Sequence, residues 1–177
     1  NFVIEIEKMY TKLLTENTFV SLDLLKVDKH VEYFMQAYLD HKLYDFFDVQ
    51  KPWLVYWIVN SLFILNQQDK LLKFDREYFS KYLLQFQNTK GGFGGGIGYH
   101  SHLAATYSST LSLIILDDKE SINKIDKVQM KNFFVSLKGD VKGSYRIHIN
   151  GEIDLRCTFI VILVSKYLNI LDEELID

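Results

Sequence analysis

Hydrophobic residues recur at helical spacing along most of the chain. The pattern predicts seven helices, over residues 2–14, 29–43, 52–65, 77–86, 103–116, 128–137 and 155–170. The helices over 52–65, 103–116 and 155–170 are apolar on almost every side, which predicts that neighbouring elements enclose them. The one alternating stretch, 145–149, lies between two glycines and is predicted to be a loop. The pattern therefore indicates an all-α fold.

The second part of the chain repeats itself with an offset of 52 residues. Adding 52 to a position returns a matching residue type for Tyr82 and Phe134, Gly91 and Gly143, Phe93 and Tyr145, Leu103 and Leu155, Thr106 and Thr158, Tyr107 and Phe159, Leu111 and Leu163, and Leu116 and Leu168. Trp57, 50 residues before Tyr107, is the corresponding position of an earlier unit. Each unit contains an outer amphipathic helix, a glycine-bearing turn and an inner apolar helix.

Helix pairs of this kind stack either as an open solenoid or as a closed ring with the apolar helices inside. The inner helix has no polar residue over 159–164, which favours the closed ring. The chain supplies about three units, or about half of such a ring. We therefore expect residues 1–177 to form a single domain that is part of such a ring.

Composition narrows the class of protein. The chain has 177 residues, of which 48% are hydrophobic and 24% charged, and this excludes extensive disorder. The net charge of −3, without a basic block, indicates no nucleic-acid partner. The longest fully apolar run has seven residues, 53–59, so no membrane span is predicted. Cys157 is the single cysteine, which indicates a reducing compartment, the cytoplasm.

Most of the reactive residues have ordinary structural explanations. The glycines over 91–98 fit no nucleotide-binding pattern and are predicted to let the chain reverse between paired helices. His100 and His102 lack the spacing of metal ligands, so no metal ligand is assigned to this chain, and His102 could instead donate a hydrogen bond at the mouth of a cavity. Cys157, within an apolar helix, is predicted to be a buried and inert thiol.

Arg156 is less ordinary, because it opens the most apolar helix and an unpaired charge there is costly. It therefore needs either a structural ion pair, with Asp154 or Glu152 as partner, or an anionic ligand. Aromatic residues make up 15% of the chain, and several stand near the starts of inner helices, namely Trp53, Tyr56, Trp57 and Tyr107. They either pack in a core or line a cavity suited to an aliphatic chain.

Three blocks of the sequence resemble successive blocks of the protein farnesyltransferase β subunit, in the same order and at similar separations. They are KPWLVYW from Lys51, GGFGGG from Gly91 followed by HLAATY from His102, and GEIDLR from Gly151. The resemblance covers roughly residues 49–168, and the 52-residue repeat is similar to that family's (α/α) toroid. The tryptophan pair resembles the farnesyl enzyme more than its geranylgeranyl relatives.

The resemblance implies the N-terminal half of an enzyme subunit that transfers farnesyl from farnesyl diphosphate to the cysteine thiol of C-terminal Cys-a-a-X proteins, as a heterodimer with an α subunit. It implies an isoprenoid channel lined by Trp53, Tyr107, Arg156 and Phe159, with Trp53 at the far end. It also implies peptide contacts from Trp53, Trp57, His102, Ala104 and Arg156, the last meeting the peptide carboxylate through water.

The sequence departs from that family in several places. The family usually has tyrosine at the position of Phe159 and proline at the positions of Ile97 and Ala105. The implied cofactors are zinc and magnesium, but the zinc ligands and the basic residues that hold the diphosphate lie outside the matching region. No catalytic residue is therefore assigned to this chain, which we expect to be inactive alone.

Three alternatives remain at the level of the sequence. The first is the β subunit of a type I geranylgeranyltransferase, which shares the glycine turns. The second is a non-catalytic helical-repeat module that binds another protein. The third is a terpene-cyclase-like toroid, although the chain lacks the acidic motif that such an enzyme needs.

Overall fold

The computed structural model describes residues 25–39 and 49–177. The predicted helix over 2–14 lies outside the described residues. The chain divides into two compact units, Asn1–Tyr33 and Phe34–Asp177, and the boundary falls within the first described helix. All candidate site residues belong to the second unit.

The described residues contain eight α-helices and no named strand, which confirms the all-α prediction. In chain order the helices are α1 (Val27–Leu39), α2 (Lys51–Ile64), α3 (Lys73–Leu84), α4 (Leu103–Leu116), α5 (Lys119–Asn123), α6 (Lys127–Ser136), α7 (Leu155–Leu168) and α8 (Glu173–Ile176). A short 3₁₀ turn, Gln68–Lys70, joins α2 to α3. The stretch 145–149 is a loop with isolated bridges at Tyr145 and Arg146, as the sequence predicts.

The predicted alternation of inner and outer helices is confirmed in the second unit. The inner helices pack side by side, with α2 against α4 and α4 against α7, while the outer helices α3 and α6 pack against α4 and α7 respectively. Buried hydrophobic residues on both kinds of helix form the core, including Leu62, Phe79, Leu113, Phe134 and Val161.

The inner helices are not enclosed on every side, and here the sequence prediction is wrong. Leu155 of α7 is 85% exposed and Phe159 is 56% exposed, and Trp57 and Phe63 of α2 are also exposed. The reason is geometric: a helix in a row buries one stripe against its neighbours and leaves another stripe uncovered. These uncovered apolar stripes carry the candidate site.

The repeat extends to the backbone conformation. Gly91 and Gly143, 52 residues apart, have φ values of 86° and 73°. Asp117 and Asn169, also 52 apart, end α4 and α7 in the left-handed region. In each unit a threonine of the inner helix forms a hydrogen bond with the glycine turn. Thr106 Oγ1 accepts from the Phe93 amide, and Thr158 Oγ1 donates to the Gly143 carbonyl, both at 2.9 Å.

Replacing Gly91 by alanine is expected to lower the free energy of unfolding by about 2–4 kcal/mol. A Cβ at this position would lie 1.8 Å from the Gln129 carbonyl oxygen, in addition to the strain of a φ of 86°. Gly98 is the matched control, since its φ is 79° but no atom lies within 4 Å of an added Cβ, so Gly98→Ala should cost only about 1–2 kcal/mol. Thermal unfolding of the full-length polypeptide measures both, and equal losses would contradict the close contact with α6.

Candidate functional site

Five aromatic rings from three inner helices form one continuous surface, here called the aromatic wall (Trp53, Tyr56, Trp57, Tyr107 and Phe159). The ring centroid of Trp53 lies 5.9 Å from those of Trp57 and Tyr107 and 5.6 Å from that of Tyr56. The centroid of Tyr107 lies 6.4 Å from that of Phe159. Residues three and four apart share a helix face, which explains the grouping on α2, and the repeat places Tyr107 and Phe159 at equivalent positions of α4 and α7.

The aromatic wall is accessible rather than packed within a core. Trp57 is 48% exposed and Phe159 is 56% exposed, while Trp53, Tyr56 and Tyr107 are half-buried. Contiguous exposed rings of this kind are typical of surfaces that bind an apolar ligand. Of the two explanations that the sequence leaves open for these aromatic residues, the geometry favours a lining over a filled core.

Tyr56 is a wall residue that the sequence places among the aromatic residues near the starts of inner helices, but that the family resemblance does not include among the binding residues. Its hydroxyl lies 3.4 Å from that of Tyr107. Burial raises the pKa of Tyr56 to about 12, and the hydrogen bond with the Tyr107 hydroxyl acts in the same direction. The Tyr56 hydroxyl is therefore neutral at physiological pH, and the two hydroxyls form a polar point within an otherwise apolar surface. Its position three residues after Trp53 is the signal that could have identified it.

His102 caps the N-terminus of α4. Its Nδ1 accepts a hydrogen bond of 3.1 Å from the backbone amide of Ala104, so these two sequence-predicted residues lie together. Burial lowers the pKa of His102, and the neighbouring His148 lowers it further. The neutral ring then carries its proton on Nε2, which is the donor that the sequence analysis expected of this residue.

Arg156 is not in the environment that the sequence predicts. Its side chain is 77% exposed on the uncovered stripe of α7, so the premise of a charge among apolar neighbours is wrong. The guanidinium forms a bidentate ion pair with Asp154, with Nε 3.2 Å from Oδ1 and Nη2 2.5 Å from Oδ2. Asp154 also caps α7 by accepting from the Arg156 and Cys157 amides. The ion pair lowers the pKa of Asp154 to about 2.

Asp154 is thus the ion-pair partner of Arg156 that the sequence analysis considered, and the guanidinium remains accessible to solvent. Arg156 lies three residues before Phe159, so both side chains project from the same face of α7. The other carboxylate considered from the sequence, Glu152, is exposed and forms no ion pair among the described residues.

Cys157 is buried, as predicted, and burial raises the pKa of its thiol. We expect iodoacetamide at neutral pH to leave Cys157 unlabelled in the native full-length polypeptide and to label it after denaturation, because the reactive thiolate is scarce and inaccessible. Peptide mapping by mass spectrometry measures the labelled fraction. Rapid labelling of the native protein would contradict the buried position on α7.

No group of three or more His, Cys, Asp or Glu side chains that could hold a metal ion occurs within residues 25–39 or 49–177. In the same part of the chain, no helix is both long enough and apolar enough to cross a membrane.

Comparisons with known proteins agree with this architecture. The family model described as "Prenyltransferase alpha-alpha toroid domain" matches residues 25–177. The "Protein farnesyltransferase subunit beta" of Arabidopsis thaliana is 34% identical over 152 residues, which are 84% of this chain and 30% of that protein. The protein of the same name from Pisum sativum is 37% identical over 128 residues, covering 71% of this chain and 29% of that protein.

A relative with another name matches less of the chain. The "Probable geranylgeranyl transferase type-2 subunit beta" of Dictyostelium discoideum is 33% identical over 95 residues, which are 52% of this chain and 27% of that protein. The chain thus spans about 30% of the length of the curated relatives that it matches. Since the toroid model covers every described residue and the helices alternate as inner and outer layers, the chain belongs to the prenyltransferase alpha-alpha toroid domain family.

Proposed function

We propose that the chain is the N-terminal part of the β subunit of a protein farnesyltransferase, which transfers farnesyl from farnesyl diphosphate to the cysteine of Cys-a-a-X proteins. The observation that carries this proposal is the aromatic wall, because contiguous exposed rings on neighbouring inner helices suit a long aliphatic chain. The names of the relatives from Arabidopsis thaliana and Pisum sativum support the same activity. The proposal also treats residues 1–177 as a single toroid domain.

In this proposal the wall residues Trp53, Tyr107 and Phe159 contact the isoprenoid, and Arg156 lies beside it. Burial of apolar surface supplies most of the donor affinity, at about 25 cal/mol per Å². The Tyr56 hydroxyl stays neutral and adds no charge beside the hydrocarbon. These residues bind and orient the donor and exclude water from it, and none of them is assigned a proton transfer.

The peptide would lie on the neighbouring part of the same surface, with contacts from Trp53, Trp57, His102, Ala104 and Arg156. The accessible guanidinium of Arg156 suits the terminal carboxylate, directly or through water. The neutral His102 offers an Nε2–H donor. A hydrogen-bond donor and a fixed cation beside an apolar wall match the polar end and the aliphatic side chains of an a-a-X segment.

The proposal includes zinc, magnesium and an α subunit, and a cytoplasmic location. The described residues do not fit a metal site, so the ligands are expected on residues outside them. Zinc would lower the pKa of the substrate thiol, and magnesium would stabilise the departing diphosphate. Because residues 25–39 and 49–177 do not supply that chemistry, we expect residues 1–177 alone to be inactive.

The test is a farnesyl transfer assay with the full-length polypeptide and its α subunit, labelled farnesyl diphosphate and a Cys-a-a-X peptide. Label is expected on the peptide and absent from a Ser-a-a-X peptide. The absence of transfer to either peptide would overturn the proposal, as would equal labelling of both.

A geranylgeranyl donor is the second candidate, because the relative from Dictyostelium discoideum that matches less of the chain is named a probable geranylgeranyl transferase type-2 subunit. The bulk of Trp53 at the α2 side of the wall opposes it, because a longer chain needs additional space at the far end of the implied channel. The same assay with geranylgeranyl diphosphate decides between the two donors. A preference for the longer donor would replace the farnesyl assignment.

A further inference from the structure

Two histidines from successive repeats lie against each other where the loop before α7 crosses the start of α4. The ring centroids of His102 and His148 are 5.4 Å apart, and the ring planes are inclined by 42°. The backbone of the same loop binds α4 directly, because the Leu103 amide donates to the Ile147 carbonyl at 2.9 Å. His148 is therefore held beside His102 by a backbone contact as well as by its own ring.

The hydrogen bonds define the protonation state of His102. Nδ1 accepts from the Ala104 amide, so it carries no proton, and the neutral ring has its proton on Nε2. Protonation of Nδ1 would place two N–H donors against each other and add a positive charge at a helix N-terminus, where it is unfavourable. The α4 cap therefore requires the neutral ring.

His148 is itself fixed from two sides. Its Nδ1 lies 2.9 Å from the Ile149 carbonyl oxygen and must donate to it, since a carbonyl only accepts. The ring also covers Gly151, where an added Cβ would lie 3.0 Å from the His148 Cε1 and Nδ1 atoms and 2.8 Å from a methyl carbon of Ile147. A side chain at position 151 would therefore crowd the Ile147 methyl group first and the His148 ring as well.

We propose that His148 is a positioning residue that holds the His102 ring in the orientation in which Nδ1 caps α4 and Nε2–H is the ring's only N–H donor. This inference rests on the proposed function, in which His102 contacts the peptide. His148 acts through His102 and does not itself touch the substrate. The repeat thus uses a loop of one unit to complete the binding residue of the preceding unit.

The charges around His102 give the proposal a measurable signature. In the described part of the chain, two titratable groups act on His102, and both lie on the loop before α7: His148, which lowers its pKa, and Glu152, which raises it. Burial, the largest influence, also lowers the pKa of His102. The cap is therefore intact above the ordinary histidine pKa of about 6.5 and is lost as the pH falls through the lower pKa of the folded protein.

The experiment compares His148→Phe and His148→Ala in the full-length polypeptide with its α subunit. His148→Phe keeps a ring beside His102 but removes the electrostatic repulsion of a protonated His102 and the hydrogen bond to the Ile149 carbonyl. His148→Ala also removes the ring that helps to bury His102. Both should raise the pKa of His102, so the acid limb of kcat/KM for the peptide moves to higher pH, further in the alanine variant. The peptide KM at pH 7.5 should rise about threefold to tenfold, with kcat within about twofold.

Gly151→Ala is a second way to perturb the His148 ring, since the added Cβ would press on that ring and on the Ile147 methyl group without removing either. His100→Ala is the matched control, because His100 is an exposed histidine of a neighbouring loop. We expect Gly151→Ala to shift the acid limb and His100→Ala to leave it unchanged. Asp154 does not contribute to this limb, because its pKa of about 2 keeps it ionised over the assay range.

NMR titration of the His102 ring separates this proposal from the proposed function. The ring nitrogens report the Nε2–H form and its pKa whether or not farnesyl is transferred. An unchanged His102 pKa and an unchanged peptide KM in both His148 variants would overturn the positioning role. Loss of farnesyl transfer in the wild-type protein, with the His102 shift retained, would overturn only the activity.

Discussion

Replacing Trp53 by threonine is expected to shift the ratio of kcat/KM for geranylgeranyl over farnesyl diphosphate by about 100-fold in favour of the longer donor. Trp53 contacts the rings of Tyr56, Trp57 and Tyr107 and is linked to Phe159 only through Tyr107, so it lies at the α2 side of the aromatic wall, which fits the far end of the implied channel. Threonine removes the indole and leaves space for one further five-carbon unit. The measurement is a competition assay with both donors, using the full-length polypeptide and its α subunit.

Trp57→Thr is the matched control for this prediction. It makes the same chemical change one helical turn later, at a ring that is more exposed and contacts the wall through Trp53. We expect it to raise the peptide KM and to leave the donor ratio within about twofold of wild type. If both variants shift the ratio equally, or neither does, Trp53 does not limit the length of the donor.

The inner helices could be predicted closely from the sequence because their apolar pattern ends at polar residues. Residues 103–116 were predicted as a helix, and α4 has these bounds. The prediction for α7 ran to residue 170, whereas the helix ends at Leu168 because Asn169 adopts a left-handed conformation. Asp117 follows α4 in the same way, and Asn66, two residues after the end of α2, is also left-handed, so the spacing of these residues was an unused signal in the sequence.

The outer helix α3 was harder to predict, because its first turn is polar. It begins at Lys73 rather than at residue 77, and the Leu72 amide donates to the Asp75 carboxylate at 3.0 Å to stabilise that start. An amphipathic pattern detects the buried stripe of a helix but not a solvated turn that precedes it. The position of the outer helix was therefore correct and its first residue was not.

In the candidate site, the sequence likewise predicts which positions are equivalent in the repeat but not how exposed each side chain is. The offset of 52 residues was enough to predict that Tyr107 and Phe159 occupy equivalent positions on neighbouring helices. Exposure was not predictable, because the stripe of α7 that carries Arg156 is apolar in sequence yet uncovered in the structure. His148 was missed for a third reason: its contact with His102 depends on how a loop of one repeat crosses the helix of another.

Replacing Arg156 by glutamine is expected to raise the KM for a Cys-a-a-X peptide by about tenfold while leaving kcat nearly unchanged, a loss of about 1.4 kcal/mol in binding. The guanidinium is accessible and held by the Asp154 carboxylate, so it is available to a second anion. A charged donor strengthens a hydrogen bond to a carboxylate, and glutamine keeps a donor without the charge. The assay compares peptides that end in a carboxylate and in a carboxamide.

The carboxamide peptide makes this test specific. Wild type should prefer the carboxylate peptide, and Arg156→Gln should lose most of that preference, because only the charged terminus responds to the lost cation. Lys166→Gln, which removes one positive charge from an exposed position near the other end of α7, should keep the preference and so measures the effect of net charge alone. An equal loss for both peptides in Arg156→Gln would mean that Arg156 supports the local structure of α7 rather than the recognition of the terminal carboxylate.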